Sequence, residues 1–364
     1  MTIHIFNPEH DMALGSNLER FTAPHAGRQL RHDLGFLPAL WAKAGEYVLV
    51  DNIDTAVEGL RRTGFSTGAS FIDWDSMKTR LGRINEPLNV QPWGWDRTLR
   101  CSLKGIGLDD KWLPTNAQLN VVRLMSHRSW AAENVLQPLR DMSFTVGESC
   151  QLKSNSDVRK FLAERKSIVL KAPWSSSGRG IRYLSNAHCD NIATNYEITP
   201  QIEGWISNVI ARQGCVVAEP YYNKVCDFGM EFQSDGKGNI AYKGLSLFNT
   251  VNGAYTGNIL DDENHKDALL CRYVPQQTLH VLRERIVEIL LGTFMEKYVG
   301  MFGIDMMIVR DGEGKLAVHP CVELNLRMTM GHVAILLAKR FGLEDKVMRI
   351  NFSGGSYRLR VESL

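Results

Sequence analysis

The order of apolar and polar positions changes character after the first hundred or so residues. Before residue 115, short apolar runs alternate with longer stretches of helical periodicity, a pattern typical of a small α/β domain. We therefore predict an α/β domain over residues 1–115. Its predicted strands are Thr2–Phe6, Tyr47–Val50 and Phe71–Trp74, and its predicted helices are Gly27–Ala44 and Thr55–Arg62.

From Asn116 onwards, predicted strands follow one another closely, and several are separated only by Gly-containing turns. Such short turns join antiparallel strands, because a parallel connection needs a long crossover. The pattern predicts an α+β domain with antiparallel sheets over residues 116–364. The predicted strands are Ser167–Lys171, Gly180–Leu184, Cys215–Ala218, Phe228–Gln233, Ile240–Leu247, Phe302–Val309 and Leu316–Arg327, and the predicted helices are Asn116–Arg123, Pro200–Arg212 and Gln276–Tyr298.

The composition is that of an ordinary globular chain, since 44% of the 364 residues are hydrophobic and 23% are charged. The formal net charge of +2 gives no overall attraction for nucleic acid or anionic lipid, so we expect neither as a partner. The seven cysteines are scattered without a Cys-x-x-Cys pair, and no run of about 18 apolar residues occurs. We expect a cytoplasmic protein that does not enter the membrane. The pattern does not indicate an oligomeric state.

The first candidate for chemistry is a loop between two predicted strands. One strand ends at Lys171, the small-residue segment Ala-Pro-Trp-Ser-Ser-Ser-Gly-Arg-Gly follows, and the next strand begins directly afterwards. Small residues let backbone N–H groups approach phosphate oxygens, and a lysine adds a positive charge beside them. This is not a Walker A loop, in which the lysine follows the loop and a helix comes next. The alternative is an ordinary hairpin turn.

A second candidate is the alternation in the predicted strand Leu316–Arg327. Glu323, Asn325 and Arg327 project from one face of that strand, because side chains in a strand repeat every two residues. Carboxylate and amide oxygens at this spacing can ligate Mg²⁺, and an arginine can bind phosphate or carboxylate oxygens. The alternative is a solvated polar strand face.

Asp305 interrupts the apolar strand Phe302–Val309, and a buried acid requires a cation or a hydrogen-bond partner. If Asp305 pairs with His319 or Cys321 across the predicted hairpin, it shares the face of Glu323, whereas pairing with Pro320 places it on the other face. The metal hypothesis therefore predicts the register of these two strands.

Three weaker signals complete the set. The strand Val216–Ala218 is followed by Glu219 and a proline, and the free carbonyl groups at such a strand end can recognise the edge of a purine. Asp227, a little further along the chain, could accept hydrogen bonds from a ribose. The alternative is a plain strand terminus. Two polar loops are candidates for substrate contact: one carries His10, Asp11, Arg20 and Arg28, and the other is Asn249–Asn258.

In order and spacing, these motifs resemble the ATP-grasp superfamily, particularly its biotin carboxylase-like and carbamoyl phosphate synthetase-like branches. The resemblance covers roughly residues 116–335. It implies a nucleotide-binding lid over about residues 150–225 and a metal-binding core over about residues 226–340. It also implies that the α/β domain is the pre-ATP-grasp domain, which often helps to bind the acceptor.

The resemblance assigns a role to each candidate residue. Lys171 and Arg327 become catalytic residues, the first on the ATP phosphates and the second on phosphate or the activated intermediate. Asp305, Glu323 and Asn325 become ligands of Mg²⁺. The implied nucleotide-binding residues are Arg128, which stands where the family usually has a lysine, Lys171, Ser175, Ser176, Ser177, Gly178, Arg179, Gly180, Glu219, Tyr221 and Asp227.

Enzymes of this superfamily typically transfer the γ-phosphoryl group of ATP to a carboxylate, and an amine or another nucleophile then attacks the acyl phosphate. The resemblance therefore implies a ligase whose cofactors are ATP and Mg²⁺ and whose partners are a small-molecule carboxylate and a nucleophile. Two alternatives remain open: a small-molecule kinase with the same nucleotide fold, and a non-catalytic ATP-binding regulatory module.

Overall fold

The computed structural model describes residues 1–82, 87–175, 180–185, 198–251, 254–311 and 313–364. Its first part is a parallel sheet with strand order β3-β2-β1-β4, and helices lie between the strands along the chain. The elements are β1 (Thr2–Ile5), α1 (His10–Ser16), α2 (His25–Leu34), β2 (Tyr47–Val50), α3 (Ile53–Thr63), β3 (Ser70–Asp73), α4 (Trp74–Leu81), β4 (Asn89–Pro92) and α5 (Arg97–Gly105).

The second part begins with the helices α6 (Asn116–Met125), α7 (Arg128–Ala131) and α8 (Gln137–Leu139). A small antiparallel sheet follows, with strand order β5-β8-β6-β7, and we call it the lid sheet. Two helices pack against it, and their apolar side chains form a separate core with it. The elements are β5 (Cys150–Leu152), α9 (Asn155–Arg165), β6 (Ser167–Lys171), β7 (Ile181–Ser185), α10 (Pro200–Gln213) and β8 (Val216–Pro220).

The third part is a larger antiparallel sheet, here called the main sheet, with strand order β13-β12-β9-β10-β11-β14-β15. One of its faces packs on a helix that contributes Leu282, Ile286 and Leu290 to the largest core. The elements are β9 (Asn223–Ser234), β10 (Ile240–Val251), β11 (Ala254–Leu260), α11 (Glu263–Leu270), α12 (Gln276–Phe294), β12 (Gly300–Arg310), β13 (Leu316–Asn325), α13 (Met330–Phe341), β14 (Lys346–Ser353) and β15 (Ser356–Ser363).

The predicted fold class, a parallel α/β domain followed by antiparallel sheets, is confirmed. The helix predicted over Gly27–Ala44 ends at Leu34, and a 3-10 turn over Leu37–Leu40 follows, because Pro38 lacks the N–H that a continuing helix needs. The strand predicted to reach Arg327 ends at Asn325. The polar segment predicted as a loop over Asn249–Asn258 belongs to strands at both of its ends, since Phe248–Val251 of β10 pair with Ala254–Asn258 of β11, and residues 252 and 253 lie outside the described residues.

The boundary predicted at residue 115 remains a prediction, and one core crosses it. Apolar side chains of the N-terminal α/β domain, such as Leu37 and Val48, share a core with Val333 and Leu337 of α13. Arg340 of the same helix donates hydrogen bonds to the carbonyl oxygens of Leu40 and Ala42, at 3.1 and 2.8 Å. The N-terminal domain is therefore packed directly on the helix that follows β13.

Candidate functional site

The strand that carries Asp305 and the strand that carries Glu323 and Asn325 meet through the pairing of β12 and β13. Asp305 lies directly opposite Glu323, and Gly303 lies opposite Asn325. The register shifts immediately afterwards, so that Met307 rather than Asp305 pairs with His319. Directly opposed residues of antiparallel strands point to the same face, with Cβ atoms about 5 Å apart. Asp305 and Glu323 therefore share one face, as the metal hypothesis requires, although through a pairing different from those predicted.

The carboxylates on this face are crowded. The pKa of Asp305 is raised to about 8, first by burial and then by the neighbouring charges of Glu323 and Glu231, against the opposing effect of Arg327. Asn325 donates a hydrogen bond from Nδ2 to Asp305 Oδ2 at 3.0 Å. The arrangement has more negative charge than its protein partners neutralise, and a hard cation with oxygen ligands would relieve that excess.

The lid sheet contributes an ion pair of opposite charges. Lys171, at the end of β6, donates a hydrogen bond from Nζ to Glu219 Oε2 at 2.6 Å, and the two side chains are only 6% and 7% exposed. The strands β6 and β8 are antiparallel neighbours, and their pairing brings these distant positions of the sequence together. Here each buried charge has its counter-charge within the protein.

A cavity of about 370 Å³ lies between the two sheets. Lys171 and Glu219 line it from the lid sheet, and Asp305 and Glu323 line it from the main sheet. Tyrosine rings and apolar side chains form much of the remaining wall, which suits a flat apolar group with a few polar contacts. Further lining residues are Tyr183, Tyr221, Tyr222, Asp227, Phe248, Thr250 and Met307.

Asp227 lies at the edge of this cavity and already has protein partners. Its Oδ2 accepts hydrogen bonds from Lys224 Nζ at 2.5 Å and from Thr250 Oγ1 at 2.6 Å. Tyr221 is partly exposed, and its ring meets the ring of Tyr183 edge-on with centroids 6.2 Å apart. Both predicted nucleotide residues are therefore in the cavity wall, at its solvent side.

Arg128, the first residue of α7, connects the loop after β6 to the main sheet. Its Nη1 donates to Ala172 O at 2.6 Å and to Ser175 Oγ at 2.9 Å, and its Nη2 donates to Glu323 Oε1 at 2.7 Å. The side chain is buried, and within the described residues its Nε has no hydrogen-bond partner. A cation thus lies between the predicted phosphate loop and the predicted metal ligands.

The loop itself is described only at its ends, and Ser176, Ser177, Gly178 and Arg179 lie outside the described residues. At one end, Ala172 donates a backbone hydrogen bond to Gly180 O at 2.8 Å. A side chain on Gly180 would lie 2.3 Å from Ser175, so this close approach requires glycine.

Trp174 fixes the start of this loop. Its indole is buried, lies 3.8 Å below the guanidinium of Arg123 and meets the ring of His127 edge-on. Its backbone N–H donates to Gln213 Oε1 at 2.9 Å. The contacts reach α1 as well, because a side chain on Gly15 would lie 3.2 Å from Trp174 Cβ. The loop therefore begins from a rigid base.

Arg327 lies just beyond β13 and pairs with Asp11 of α1. Nε and Nη2 of the guanidinium both donate to the Asp11 carboxylate, and Nη2 also donates to Asn325 Oδ1 at 2.8 Å. Burial alone would raise the pKa of Asp11, but the charge and hydrogen bonds of Arg327, together with the charges of His10 and Arg128, hold that pKa below its usual value. By contrast, Arg20 and Arg28 are both exposed.

Two polar residues of the same region were not assigned a role from the sequence. Glu231 of β9 is buried between Gly303 and Gly331, where a side chain at either glycine would overlap its carboxylate. The ring nitrogens of His319 are buried without a hydrogen-bond partner in the part of the chain described, and burial lowers the pKa of His319 to about 4. The sequence signal available for Glu231 was its position as an acidic residue among the apolar residues of β9.

No described helix combines the length and apolar character needed to cross a membrane. The cysteines at 101, 150, 215, 226, 271 and 321 are free thiols. Neither observation alters the description of the cavity between the two sheets.

No protein-family model and no curated protein sequence matches the chain. Solved structures do. The biotin carboxylase domain of 2-oxoglutarate carboxylase from Hydrogenobacter thermophilus, in complex with MgADP, ADP and bicarbonate, is 13% identical with a TM-score of 0.52, over 98% of this chain and 72% of that one. A biotin carboxylase complex with β,γ-ATP from Campylobacter jejuni is 15% identical with a TM-score of 0.50, over 98% and 73% of the two chains. At such identities the likeness concerns the fold, and this chain has the ATP-grasp fold.

Proposed function

We propose that the chain is a Mg-ATP-dependent ligase that activates a carboxylate as an acyl phosphate for attack by an amine or another nucleophile. The observation that carries the proposal is the convergence of opposite charges on one cavity. Lys171 reaches it from the lid sheet, whereas the carboxylates of Asp305 and Glu323 reach it from the main sheet. The similar biotin carboxylase structures contain ADP, its magnesium salt or an ATP analogue, which supports the same use of the fold here.

The residues present fit a magnesium site. Asp305, Glu323 and Asn325 provide oxygen atoms on one face, and the pKa of Asp305 is raised by burial and by the neighbouring charges of Glu323 and Glu231. When bound, Mg²⁺ would neutralise phosphate oxygens and the carboxylates together. Glu323 would then exchange part of its contact with Arg128 for the cation, and Arg128 would be free to bind phosphate.

The remaining nucleotide contacts follow from the cavity wall. We assign the adenine and ribose to the side lined by Glu219, Tyr221 and Asp227. We assign the phosphates to Lys171 and to the loop that ends at Gly180. The phosphate loop residues in this assignment are Ser175, Ser176, Ser177, Gly178, Arg179 and Gly180.

The proposed reaction has two steps. A carboxylate oxygen of the substrate attacks the γ-phosphorus, the bond between that phosphorus and the β,γ-bridging oxygen breaks, and ADP leaves. The nucleophile then attacks the carbonyl carbon, the bond from that carbon to the phosphate oxygen breaks, and phosphate leaves while the amine loses a proton. Lys171 and Arg327 provide positive charge beside the oxygens that carry the developing charge, so no nucleophilic side chain is required.

The experiment that tests the function is phosphate release from ATP across a library of carboxylate and amine pairs, with and without Mg²⁺. The expected result is release that depends on both a carboxylate and a nucleophile and stops when the metal is chelated. Stable phosphorylation of a hydroxyl compound without a nucleophile would instead favour a kinase. ATP turnover that no acceptor accelerates would favour a regulatory module.

A simpler binding measurement precedes it. Mg-ATP at about 100 times its Kd should raise the free energy of unfolding by about 2.7 kcal/mol. ATP with a chelator should stabilise the protein much less, because the triphosphate would meet Asp305 and Glu323 without a cation between them. Equal stabilisation by both would remove the metal site from the proposal.

A further inference from the structure

The ion pair of Asp11 and Arg327 joins the N-terminal domain to the end of β13. Arg327 Nε donates to the two carboxylate oxygens of Asp11 at 3.0 and 3.1 Å, and Nη2 donates to Oδ2 at 2.8 Å. Each side chain is 15% exposed. The edge of the guanidinium that a ligand carboxylate would use therefore already holds a carboxylate of the protein.

The plane of this guanidinium is fixed on its other sides. Nη1 donates to Met328 O at 3.1 Å, and Nη2 donates to Asn325 Oδ1 at 2.8 Å. Asn325 in turn contacts Asp305. The edge facing Asp11 thus lies beside the proposed metal ligands Asn325 and Asp305, where a substrate carboxylate has to be presented to the nucleotide.

Asp11 is held as firmly as its partner. Just before it, Asn7 Nδ2 donates to Gly94 O at 2.8 Å and to Asp96 Oδ2 at 3.2 Å. His10 is buried with Nδ1 at 3.3 Å from Asp96 Oδ2, and a side chain on Gly94 would lie 2.6 Å from the His10 ring. These contacts hold the backbone turn that precedes Asp11, and this turn positions Asp11 beside Arg327.

Opening this pair is favourable only for certain ligands. A buried charge without a partner is strongly unfavourable. A ligand with only a carboxylate that binds Arg327 leaves Asp11 unpaired, and a ligand with only an ammonium group that binds Asp11 leaves Arg327 unpaired. A ligand that carries both an ammonium and a carboxylate replaces both partners at once. An α-amino acid has the two groups on one carbon, which suits two protein groups that touch one another.

We propose that Asp11 and Arg327 together form the recognition site of an α-amino acid head group, with the ammonium on Asp11 and the carboxylate on Arg327. This inference rests on the proposed ligase function and names its substrate class: the acid that is activated is an α-amino acid. Asp11 is then a residue that determines specificity, and the metal site is needed only for the phosphoryl transfer.

The first experiment uses the unmodified protein saturated with the Mg²⁺ complex of AMPPNP, a non-hydrolysable ATP analogue. Both enantiomers of the standard amino acids are screened by thermal shift, and Kd is measured for each one that raises the Tm. The α-amide and the N-acetyl derivative of each hit are then compared with it. Each derivative lacks one charge and should bind at least about tenfold more weakly.

The second experiment compares Asp11→Asn with Asp51→Asn, which removes a carboxylate that pairs with Arg31 at 2.9 Å in the same domain. The quantity measured is the preference for an amino acid over the same acid without its amino group. Asp11→Asn should lower this preference at least about tenfold, because the ammonium loses its partner while Arg327 becomes available to any carboxylate. Asp51→Asn should leave it unchanged.

The outcomes separate this inference from the function on which it rests. If Mg-AMPPNP stabilises the protein but no amino acid does, or if amides and N-acetyl derivatives bind as tightly as their parents, the head-group site is wrong and the ligase proposal stands. If Mg-AMPPNP itself does not bind, the ligase proposal fails and this inference fails with it. If Asp11→Asn does not fold, the binding of the α-amide and N-acetyl derivatives to the unmodified protein is sufficient to test the head-group site.

Discussion

The lid sheet and the main sheet both present buried charges to the same cavity, but they balance them differently. Lys171 and Glu219 on the lid sheet neutralise one another at 2.6 Å. On the main sheet, Asp305 and Glu323 carry the same charge on directly opposed positions. The Lys171–Glu219 pair of the lid sheet is balanced without a ligand, whereas the carboxylates of the main sheet would be stabilised by the proposed cation. Substitutions in the two sheets should therefore have different effects on stability and on turnover.

The largest effect is expected on the lid. Lys171→Met leaves Glu219 buried without a counter-charge, and breaking a buried pair in this way costs about 3–5 kcal/mol in the free energy of unfolding. Denaturation in urea measures the loss. The double variant Lys171→Met, Glu219→Gln should recover most of it while still binding Mg-ATP weakly. A single variant as stable as the parent would show that the pair is not buried in solution.

The next effect concerns turnover on the main sheet. Glu323→Gln keeps the shape of the side chain but removes a charge of the proposed metal site, so kcat should fall by about a hundredfold or more. Nucleotide binding should suffer less than in Lys171→Met, which removes a charge that contacts ATP before and during the reaction. Calorimetry and steady-state phosphate release provide the two measurements, after circular dichroism confirms folding.

The control for this variant is Glu362→Gln on β15, which changes an exposed carboxylate of the same sheet near Arg349. It should turn over at the parent rate. If Glu323→Gln does so too, the polar face of β13 is merely solvated and the ligase assignment loses its main support.

A smaller effect, of opposite sign, is expected for Asp305→Asn in the metal-free protein. The pKa of Asp305 is raised to about 8. The protonated carboxyl group of Asp305 therefore contributes fully to the free energy of unfolding below about pH 4, and this contribution is lost as the pH rises towards 8. Asp305→Asn should thus be more stable than the parent by about 1–3 kcal/mol near pH 8 in a chelator, and equal to it near pH 4. Equal stability at both pH values would contradict the crowding of carboxylates.

The smallest effect concerns the loop after β6. Trp174 is anchored by Arg123, His127 and Gln213, so its amide should be protected from hydrogen exchange with or without nucleotide. Residues 175–180 should gain protection only when Mg-ATP is bound. Equal protection of these residues in both states would favour an ordinary hairpin over a loop that binds phosphate.

The sequence predicted individual strands well where an apolar pattern ended at a distinctive residue. Ser167–Lys171 has the predicted bounds, and its pairing with Ile181–Ser185 follows the expected hairpin. The prediction was wrong for Asn249–Val251 and Ala254–Asn258, because pairing with neighbouring strands keeps these polar residues extended. The terminal hairpin of β14 and β15 was also missed, although β15 alternates apolar and polar residues from Tyr357 to Glu362.

At the candidate site, the sequence predicted residues but not their partners within the protein. The predicted registers paired Asp305 with His319, Pro320 or Cys321, whereas the structure pairs it with Glu323 and shifts the register immediately afterwards. The contacts of Lys171 with Glu219 and of Arg327 with Asp11 join distant parts of the chain. Such contacts follow from how the sheets stack, which the local pattern does not contain.

The core shared by the N-terminal domain and the chain after β13 has a consequence for biosynthesis. Leu37 and Val48 leave the ribosome long before Val333 and Leu337, on which they pack. Tyr357 completes the same junction by donating its backbone N–H to Asp33 at 2.7 Å. The nascent N-terminal domain must therefore keep an apolar surface uncovered until the segment with Val333 and Leu337 has been made, and chaperones that bind such surfaces can act during that interval.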